Sequence, residues 1–202
     1  MQNLLSWRDD EMKVLKSLSD FEFMIPKYEI GSQNFECHKK RYEFALPYCK
    51  DKKVLDIACG TGYGSAVLEM AAKFIICVDK NVEAIKYANK YYKTKDNEFI
   101  ISDAAEYLKN NQDYDIVICF ETLEHLDDDK EFVSLIKKNI PIMFSVPYNE
   151  KELTKWHKRR YKEEDLKSLF KGRKIEFWYQ HKKGEIDKNN KEVQNIIGVI
   201  ND

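Results

Sequence analysis

The sequence predicts an α/β protein built on a doubly wound, mostly parallel sheet of seven strands, preceded by an N-terminal helical segment. Three observations carry that expectation. Strand-length apolar runs at 54–57, 74–78, 114–120 and 140–146 alternate with stretches of helix formers, the pattern of a parallel sheet with helices on both faces. A glycine bend, Gly60-Thr-Gly62-Tyr-Gly64, directly follows the first run, and an acid, Asp79, ends the second. Bends and acids at strand ends are where such sheets gather ligands.

Residues 1 to about 30 place Leu4, Leu5 and Trp7, then Met12, Leu15 and Leu18, at weak helical spacing, predicting one or two short helices broken at Pro26. Residues 31–35 read as loop. Residues 36–48 are helical in composition, with Tyr42, Ala45 and Leu46 on the apolar side; His38 and Arg41, three residues apart, share another face. The strand at 54–57 leads through the bend into a helix at 65–73. After the strand at 74–78, Asn81 suits the N-cap of a helix reaching about Tyr92. A third strand, 98–102, ends in Asp103 and a short helix follows at 104–110. The run 114–120 is apolar enough for a central strand. A helix at 128–138 leads to the strand entered through Pro141. A helix at 162–170, an aromatic-rich strand at 174–180 and a β-branched strand at 193–200 close the chain. The polar stretch 182–191 between those strands is too long for a tight turn and reads as a mobile connection. One domain is expected, a helical cap over 1–48 and a core over 49–202.

Bulk numbers exclude several classes. Lys and Arg total 34 against 35 Asp and Glu, a net charge of −1 that gives no global drive toward nucleic acid or anionic membrane. No apolar run reaches membrane-span length, and the start lacks a signal-peptide core. Five cysteines without a C-x-x-C pair argue against a disulfide framework and a structural zinc. Cys77 and Cys119 fall inside apolar runs as small hydrophobes, so a reducing cytoplasm is the expected compartment.

The bend has a chemistry. Gly60 and Gly62 admit positive φ and close backbone approach by a ligand. Ser65 stands where Gly-x-Gly-x-x-Gly would be completed, so the dinucleotide fingerprint is not met. An acid ahead of the bend, Asp56, is unhelpful near a pyrophosphate but suits a ligand with a cationic end. Asp79 falls where a carboxylate grips two ribose hydroxyls. S-adenosylmethionine (SAM), with an ammonium, a sulfonium and no phosphate, satisfies these conditions.

Val54-Leu-Asp-Ile-Ala-Cys-Gly-Thr-Gly-Tyr-Gly64 together with Asp79 resembles motifs I and II of the class I SAM-dependent methyltransferases, over residues of about 35 to 170. That resemblance implies a Rossmann-like fold, with SAM as cofactor and S-adenosylhomocysteine as product. It implies that Asp56 and the bend residues Ala58, Cys59, Gly60 and Gly62 hold the methionine part, and Asp79 the ribose hydroxyls. Asp103 would meet the adenine amino group, with Ala104 offering a backbone N–H; Lys80 and Glu121 complete the strand-end set. Asp103 also suits a plain N-cap. Segments 36–45, 54–65 and 120–126 (Phe-Glu-Thr-Leu-Glu-His-Leu) look like methyltransferases associated with polysaccharide and O-antigen synthesis, which implies transfer to oxygen of a sugar, nucleotide sugar or glycan. Two features depart from those relatives. The Lys-Pro-Gly-Gly turn before the fifth strand is replaced by Lys-Lys-Asn-Ile-Pro141, and Asn-Pro-Phe-His is reduced to Lys155-Trp156-His157.

Other residues are left with two readings. His38 and Arg41 are either a solvated face or part of a lid whose Arg41 guanidinium meets the methionine carboxylate. His125, after Glu121-Thr-Leu-Glu124, is either a general base or a packing histidine. Glu121, Glu124, His125 and His157 also suit a metal ion. Small-RNA 3′-terminal 2′-O-methyltransferases show a related arrangement with a further histidine-rich segment; here Lys158-Arg159-Arg160-Tyr161 follows, and no metal is expected. Residues 151–184 carry 12 Lys or Arg against 5 Asp or Glu, interleaved with Trp156, Tyr161, Phe170, Phe177, Trp178 and Tyr179. That pattern suits a solvated surface, an anionic small substrate or RNA. Tyr148, Asn149 and His157 are the candidates for substrate contact. The expected partner is a small-molecule or glycan acceptor; an RNA methyltransferase and a non-catalytic SAM-binding partner subunit are the alternatives.

Overall fold

The computed structural model describes residue 25 and residues 30–148 and 153–201. The helices expected before residue 30, with the break at Pro26, and Asn149 lie outside the described residues. The elements run α1 (Gln33–Cys49), β1 (Lys53–Ile57), α2 (Tyr63–Leu68), β2 (Phe74–Asp79), α3 (Val82–Tyr91), β3 (Asn97–Ile101), α4 (Ala104–Asn110), β4 (Ile116–Phe120), α5 (Asp129–Leu135), β5 (Ile142–Pro147), α6 (Glu163–Leu169), β6 (Glu176–His181), β7 (Ile186–Asp187) and β8 (Val193–Ile200). A single 3-10 turn, Leu123–His125, follows β4.

The strands form one sheet in the order β3-β2-β1-β4-β5-β8-β6-β7. The first five are parallel to one another, while β8 joins β5 antiparallel and β6 joins β8 antiparallel. The doubly wound expectation holds: the chain reverses direction across the sheet between β1 and β4, so a crevice opens beyond their carboxyl ends. The alternation within each strand shows why the apolar runs are nearly continuous. Ile75, Cys77, Ile116 and Ile118 point into one core with Tyr42 and Leu68, whereas Ile76, Val78, Val117 and Cys119 point into the other with Leu108, Phe132 and Phe170. Both faces are covered, so neither register of side chains meets water. All five cysteines are buried free thiols.

Three expectations are corrected. Residues 33–35, read as loop, are the first turn of α1, because the Ser32 hydroxyl accepts from the Phe35 N–H at 3.1 Å and caps the helix three residues early. The sheet has eight strands, since β7 adds a two-residue pair to β6. The stretch 182–191 is accordingly a structured return and no loose connection. Gly184, at φ +88°, closes a tight turn in which its N–H donates to His181 and the His181 N–H donates to Glu185. The turn docks on α1, where Lys40 Nζ donates to the Lys183 carbonyl at 3.0 Å and Gln33 reaches the Lys182 carbonyl. Nothing in the local composition announces a contact between residues that far apart.

Candidate functional site

The glycine bend is held by the acid one strand away. Asp79, 7% exposed, accepts from the Gly60 N–H at 2.9 Å and from the Asn81 N–H at 2.8 Å, one per carboxylate oxygen. Each oxygen keeps a lone pair for a hydroxyl donor. Burial raises the Asp79 pKa and the two backbone N–H groups oppose that shift. Gly62 sits at φ +80°, and an added Cβ would lie 2.7 Å from both Ala88 and Phe99, so only glycine closes the bend onto α3 and β3. Ala58 and Glu121, the residues just past β1 and β4, both take positive φ (58° and 49°) without being glycine. Such conformations cost of order 1–3 kcal/mol each and persist where the surroundings impose them. They flank the crevice on both sides of the switch point.

Asp56 lies beneath the bend, 1% exposed, with the Tyr42 hydroxyl 3.4 Å from both of its oxygens. Burial pushes its pKa up to about 8, the Tyr42 hydrogen bond opposes the shift, and the nearby Asp79 adds to it. Cys59 is buried and its thiol is held well above the usual range, foremost by burial. Helix α1 crosses over this floor. An added Cβ on Gly64 would lie 2.1 Å from the Tyr42 ring, so the Tyr42 side chain of α1 packs directly on the α2 backbone. His38 Nδ1 is 3.0 Å from the Tyr63 hydroxyl, and burial followed by the Arg41 charge lowers its pKa well below 6.5, so the ring is neutral.

The solvated-face reading of Arg41 is overturned: it is 1% exposed. One terminal nitrogen, Nη1, donates to Gln180 Oε1 at 2.5 Å, and Nη2 is 3.9 Å from Glu121 Oε2. Nε and Nη2 make no hydrogen bond among the described residues. Those two nitrogens form one edge of the guanidinium, the fork that matches a carboxylate. A buried, permanently charged group with unmet donors calls for an anionic ligand. Glu121 in turn is fixed by the Ser145 hydroxyl at 2.6 Å on one oxygen and the Asn195 amide at 2.8 Å on the other. A buried acid beneath the bend, a cationic fork and a second acid with lone pairs open to hydroxyl donors thus fit SAM, whose amino-acid end carries both charges.

Asp103 is exposed and one of its oxygens caps α4 by accepting from the Ala105 and Glu106 N–H groups at 2.9 and 3.2 Å. The Ala104 N–H is not one of the capped amides. Lys80 is exposed at the end of β2.

The rim beyond β4 gathers the remaining candidates. His125 Nδ1 is 3.2 Å from the Trp156 carbonyl. A carbonyl only accepts, so Nδ1 carries a proton and Nε2 is the nitrogen through which the ring gives or takes one. Nε2 lies 3.9 Å from the buried Glu124 carboxylate, and the His157 ring stands edge-on to His125 at 4.9 Å. Ligand atoms of Glu124, His125 and His157 all lie within 4.8 Å of one another, so the structure brings together three of the four residues considered for a metal. Glu121, the fourth, is engaged with Ser145 and Asn195 instead. Tyr148 is half-buried, its N–H donating to Gln194 at 2.8 Å. The segment carrying His157 is latched onto the 3-10 turn: the Lys158 N–H donates to Glu124 at 2.8 Å, and the Tyr161 hydroxyl meets Leu123 and Asp129. Half of the six aromatics of the basic stretch are core: Tyr161, Phe170 and Tyr179 are buried, and Phe170 stacks on Phe144 at 4.7 Å, while Trp156, Phe177 and Trp178 are half-buried. Gln180, Asn195 and Ser145 went unnoticed in the sequence, since polar residues inside a strand have no signature until the register is known.

A model of the methyltransferase domain matches residues 49–196. A probable S-adenosylmethionine-dependent methyltransferase of Mycobacterium tuberculosis (strain CDC 1551 / Oshkosh) is 28% identical over 160 residues, covering 73% of this chain and 57% of that protein. A ubiquinone biosynthesis O-methyltransferase of Rickettsia bellii (strain OSU 85-389) is 32% identical over 92 residues, covering 45% of this chain and 38% of that one. The chain spans about half the length of the curated relatives it matches. Among solved structures, a SAM-dependent methyltransferase from Archaeoglobus fulgidus superposes with a TM-score of 0.64 at 26% identity, over 87% of this chain and 96% of that one. By family match, fold and the cradle at the β1–β4 crevice, the chain belongs to the class I S-adenosylmethionine-dependent methyltransferases, with S-adenosylmethionine as its cofactor.

Proposed function

We propose that the chain methylates a hydroxyl oxygen of a small polar acceptor such as a sugar, nucleotide sugar or glycan, in the setting of polysaccharide synthesis. The observation that carries this reading is the 3.2 Å contact of His125 Nδ1 with the Trp156 carbonyl, which turns Nε2 to serve as the base on the rim beyond β4. The bound cofactor supplies an electrophilic methyl group, so the protein's own task is alignment and proton removal. Arg41 binds the methionine carboxylate through its Nε and Nη2 edge, Asp56 and the bend residues 58–62 the ammonium side, and Asp79 the ribose hydroxyls. Asp103 and the Ala104 N–H meet the adenine. His125 Nε2 takes the acceptor's proton, and the Glu124 charge 3.9 Å away offsets the positive ring that results. Tyr148, Asn149 and His157 contact the acceptor. Residues 1–48 act as a cap and residues 49–202 as the core of one domain.

Two observations favour a small acceptor over RNA. Three of the six aromatics of the basic stretch, Tyr161, Phe170 and Tyr179, are buried, which breaks up a stacking platform. Lys158 and Arg159 are paired with Asp127 and Asp129. The ubiquinone O-methyltransferase relative supports oxygen as the accepting atom. A screen of nucleotide sugars, short glycans and RNA for radiolabelled methyl uptake tests the reading: uptake by sugars is expected, and uptake by RNA alone overturns it. The variant His125→Ala should lower kcat by about 10²–10⁴ with S-adenosylhomocysteine affinity unchanged. Equal rates would leave that imidazole a packing role.

A second reading has its own observation, the convergence of Glu124, His125 and His157. One carboxylate and two imidazoles suit a divalent transition ion, with open positions for an acceptor hydroxyl. His125 is then a ligand and not the base. Calorimetric titration with Mn²⁺ or Zn²⁺ separates the two: stoichiometric binding abolished by His157→Ala favours the ion, and no binding favours the base.

A further inference from the structure

Gln180 and Asn195 stand directly opposite each other in the β6–β8 ladder, so the register places both side chains on one face, side by side. Both are buried, at 0% and 3% exposure. They are far in sequence from the motifs that bind cofactor, yet each reaches one member of the charge pair above the bend.

The Gln180 amide is oriented without ambiguity. Its Nε2 donates to the Cys37 carbonyl at 2.9 Å and to Gly184 at 3.5 Å, and a carbonyl accepts only, so Oε1 is the atom that meets Arg41 Nη1 at 2.5 Å. The ladder shifts register between Gln180 and His181, which turns the strand where this side chain leaves it. Gln180 therefore holds the guanidinium by Nη1 and leaves the Nε and Nη2 edge for another partner. Asn195 donates to Glu121 Oε2 at 2.8 Å while Ser145 donates to Oε1 at 2.6 Å. With both oxygens so restrained, Glu121 stays 3.9 Å from Arg41 Nη2 and does not close into a bidentate pair. A closed pair would consume the fork.

We propose that Gln180 and Asn195 are positioning residues, by which the antiparallel end of the sheet keeps Arg41 and Glu121 apart for the zwitterionic end of the cofactor. Arg41 then meets the carboxylate, and Glu121 lies within reach of the ammonium. This rests on the reading that the amino-acid end of the cofactor lies at Arg41. It assigns β6 and β8 a part in cofactor binding that their distance from the glycine bend does not suggest.

The test compares two ligands by calorimetry on the full chain. S-adenosylhomocysteine carries the amino-acid end; 5′-methylthioadenosine has the same adenosine and thioether without carboxylate or ammonium. Gln180→Met and Asn195→Leu should each weaken S-adenosylhomocysteine about tenfold, with 5′-methylthioadenosine within about twofold of wild type. The isosteric variant Asn195→Asp, which keeps the packing volume and removes the donor to Glu121, should show the same selective loss and covers the case in which the apolar variants fail to fold. A proportional loss of both ligands, or no loss of either, overturns the positioning role. A wild-type chain that binds 5′-methylthioadenosine and S-adenosylhomocysteine equally removes the Arg41 assignment and the positioning role with it; one that binds neither removes the cofactor geometry altogether.

Discussion

At the ends of β1, β2 and β3 the crevice is made from contacts that are short in sequence or run between adjacent strands: Asp79 to Asn81, Asp103 to Ala105, and Gly60 to Asp79 across 19 positions. At the ends of β4 and β5 the contacts are long. Glu121 meets Asn195 across 74 positions, Arg41 meets Gln180 across 139, and His125 meets Trp156 across 31. The first half uses backbone N–H groups as donors, which any sequence supplies once the turn forms. The second uses side-chain partners that must each be encoded. On the proposed placement of the cofactor, contacts of the first kind meet its adenosine, and contacts of the second kind meet its amino-acid end and frame the rim where His125 stands.

The largest effect that would break this contrast falls on the short-range half. Asp79→Ala removes the carboxylate proposed to accept from the ribose hydroxyls and also frees the Gly60 and Asn81 amides. Affinity for both S-adenosylhomocysteine and 5′-methylthioadenosine should fall about 100-fold by calorimetry. Loss of the first ligand alone would mean that Asp79 serves the amino-acid end, and the division between the halves would fail.

The same contrast explains what was legible beforehand. The bend at 60–64, Asp79 and the N-caps at Asn81 and Asp103 each act within a few residues or one strand, so spacing exposed them. The aromatic-rich 174–180 run was legible as a strand, but not that Gln180 would face Arg41, because that depends on a register shift at its end. Residues 182–191 misled because the polar composition is that of a free loop, and the docking that orders it comes from α1, with Lys40 lying where a Cβ on Gly184 would be 2.7 Å away. Tyr161, Phe170 and Tyr179 misled for the converse reason: aromatics among lysines look exposed until the sheet shows which side each occupies.

A smaller effect sharpens the account of the cradle's floor. Asp56 is an acid with its folded pKa pushed up to about 8, so the folded chain binds more protons than the unfolded one from its ordinary value near 3.8 up to that point. Its contribution to stability therefore falls as pH rises through that window, by up to about 1.4 kcal/mol per pH unit, and levels off above it. An ammonium beside it reverses the preference. Binding of S-adenosylhomocysteine below pH 8 should then release up to one proton, and affinity should rise with pH toward 8. Calorimetry at pH 7 in two buffers of different ionisation enthalpy reads the proton directly. Identical heats would mean that Asp56 stays protonated under the ligand, and that the floor is neutral.

On the rim, Tyr161→Phe should cost about 1–2 kcal/mol in denaturant unfolding, because the hydroxyl lies 2.6 Å from Asp129 Oδ2 and 3.1 Å from the Leu123 carbonyl in a buried place. Cofactor affinity should not move. A fall in affinity would show that the latch and the cradle are one unit.

The smallest effect is expected at Lys158. Its ammonium pairs with Asp127, but the side chains are 44% and 93% exposed, and an ion pair so wetted adds little once entropy and screening are counted. What ties residue 158 to the rim is its N–H, donated to the Glu124 carbonyl at 2.8 Å beside the His125 ring. Alanine keeps that N–H. Lys158→Ala should therefore leave the melting temperature and kcat unchanged at physiological salt, although Lys158 is the member of the latch with the most prominent charge. A drop in kcat that salt reproduces in the wild type would instead make the ammonium part of acceptor binding, and the acceptor anionic.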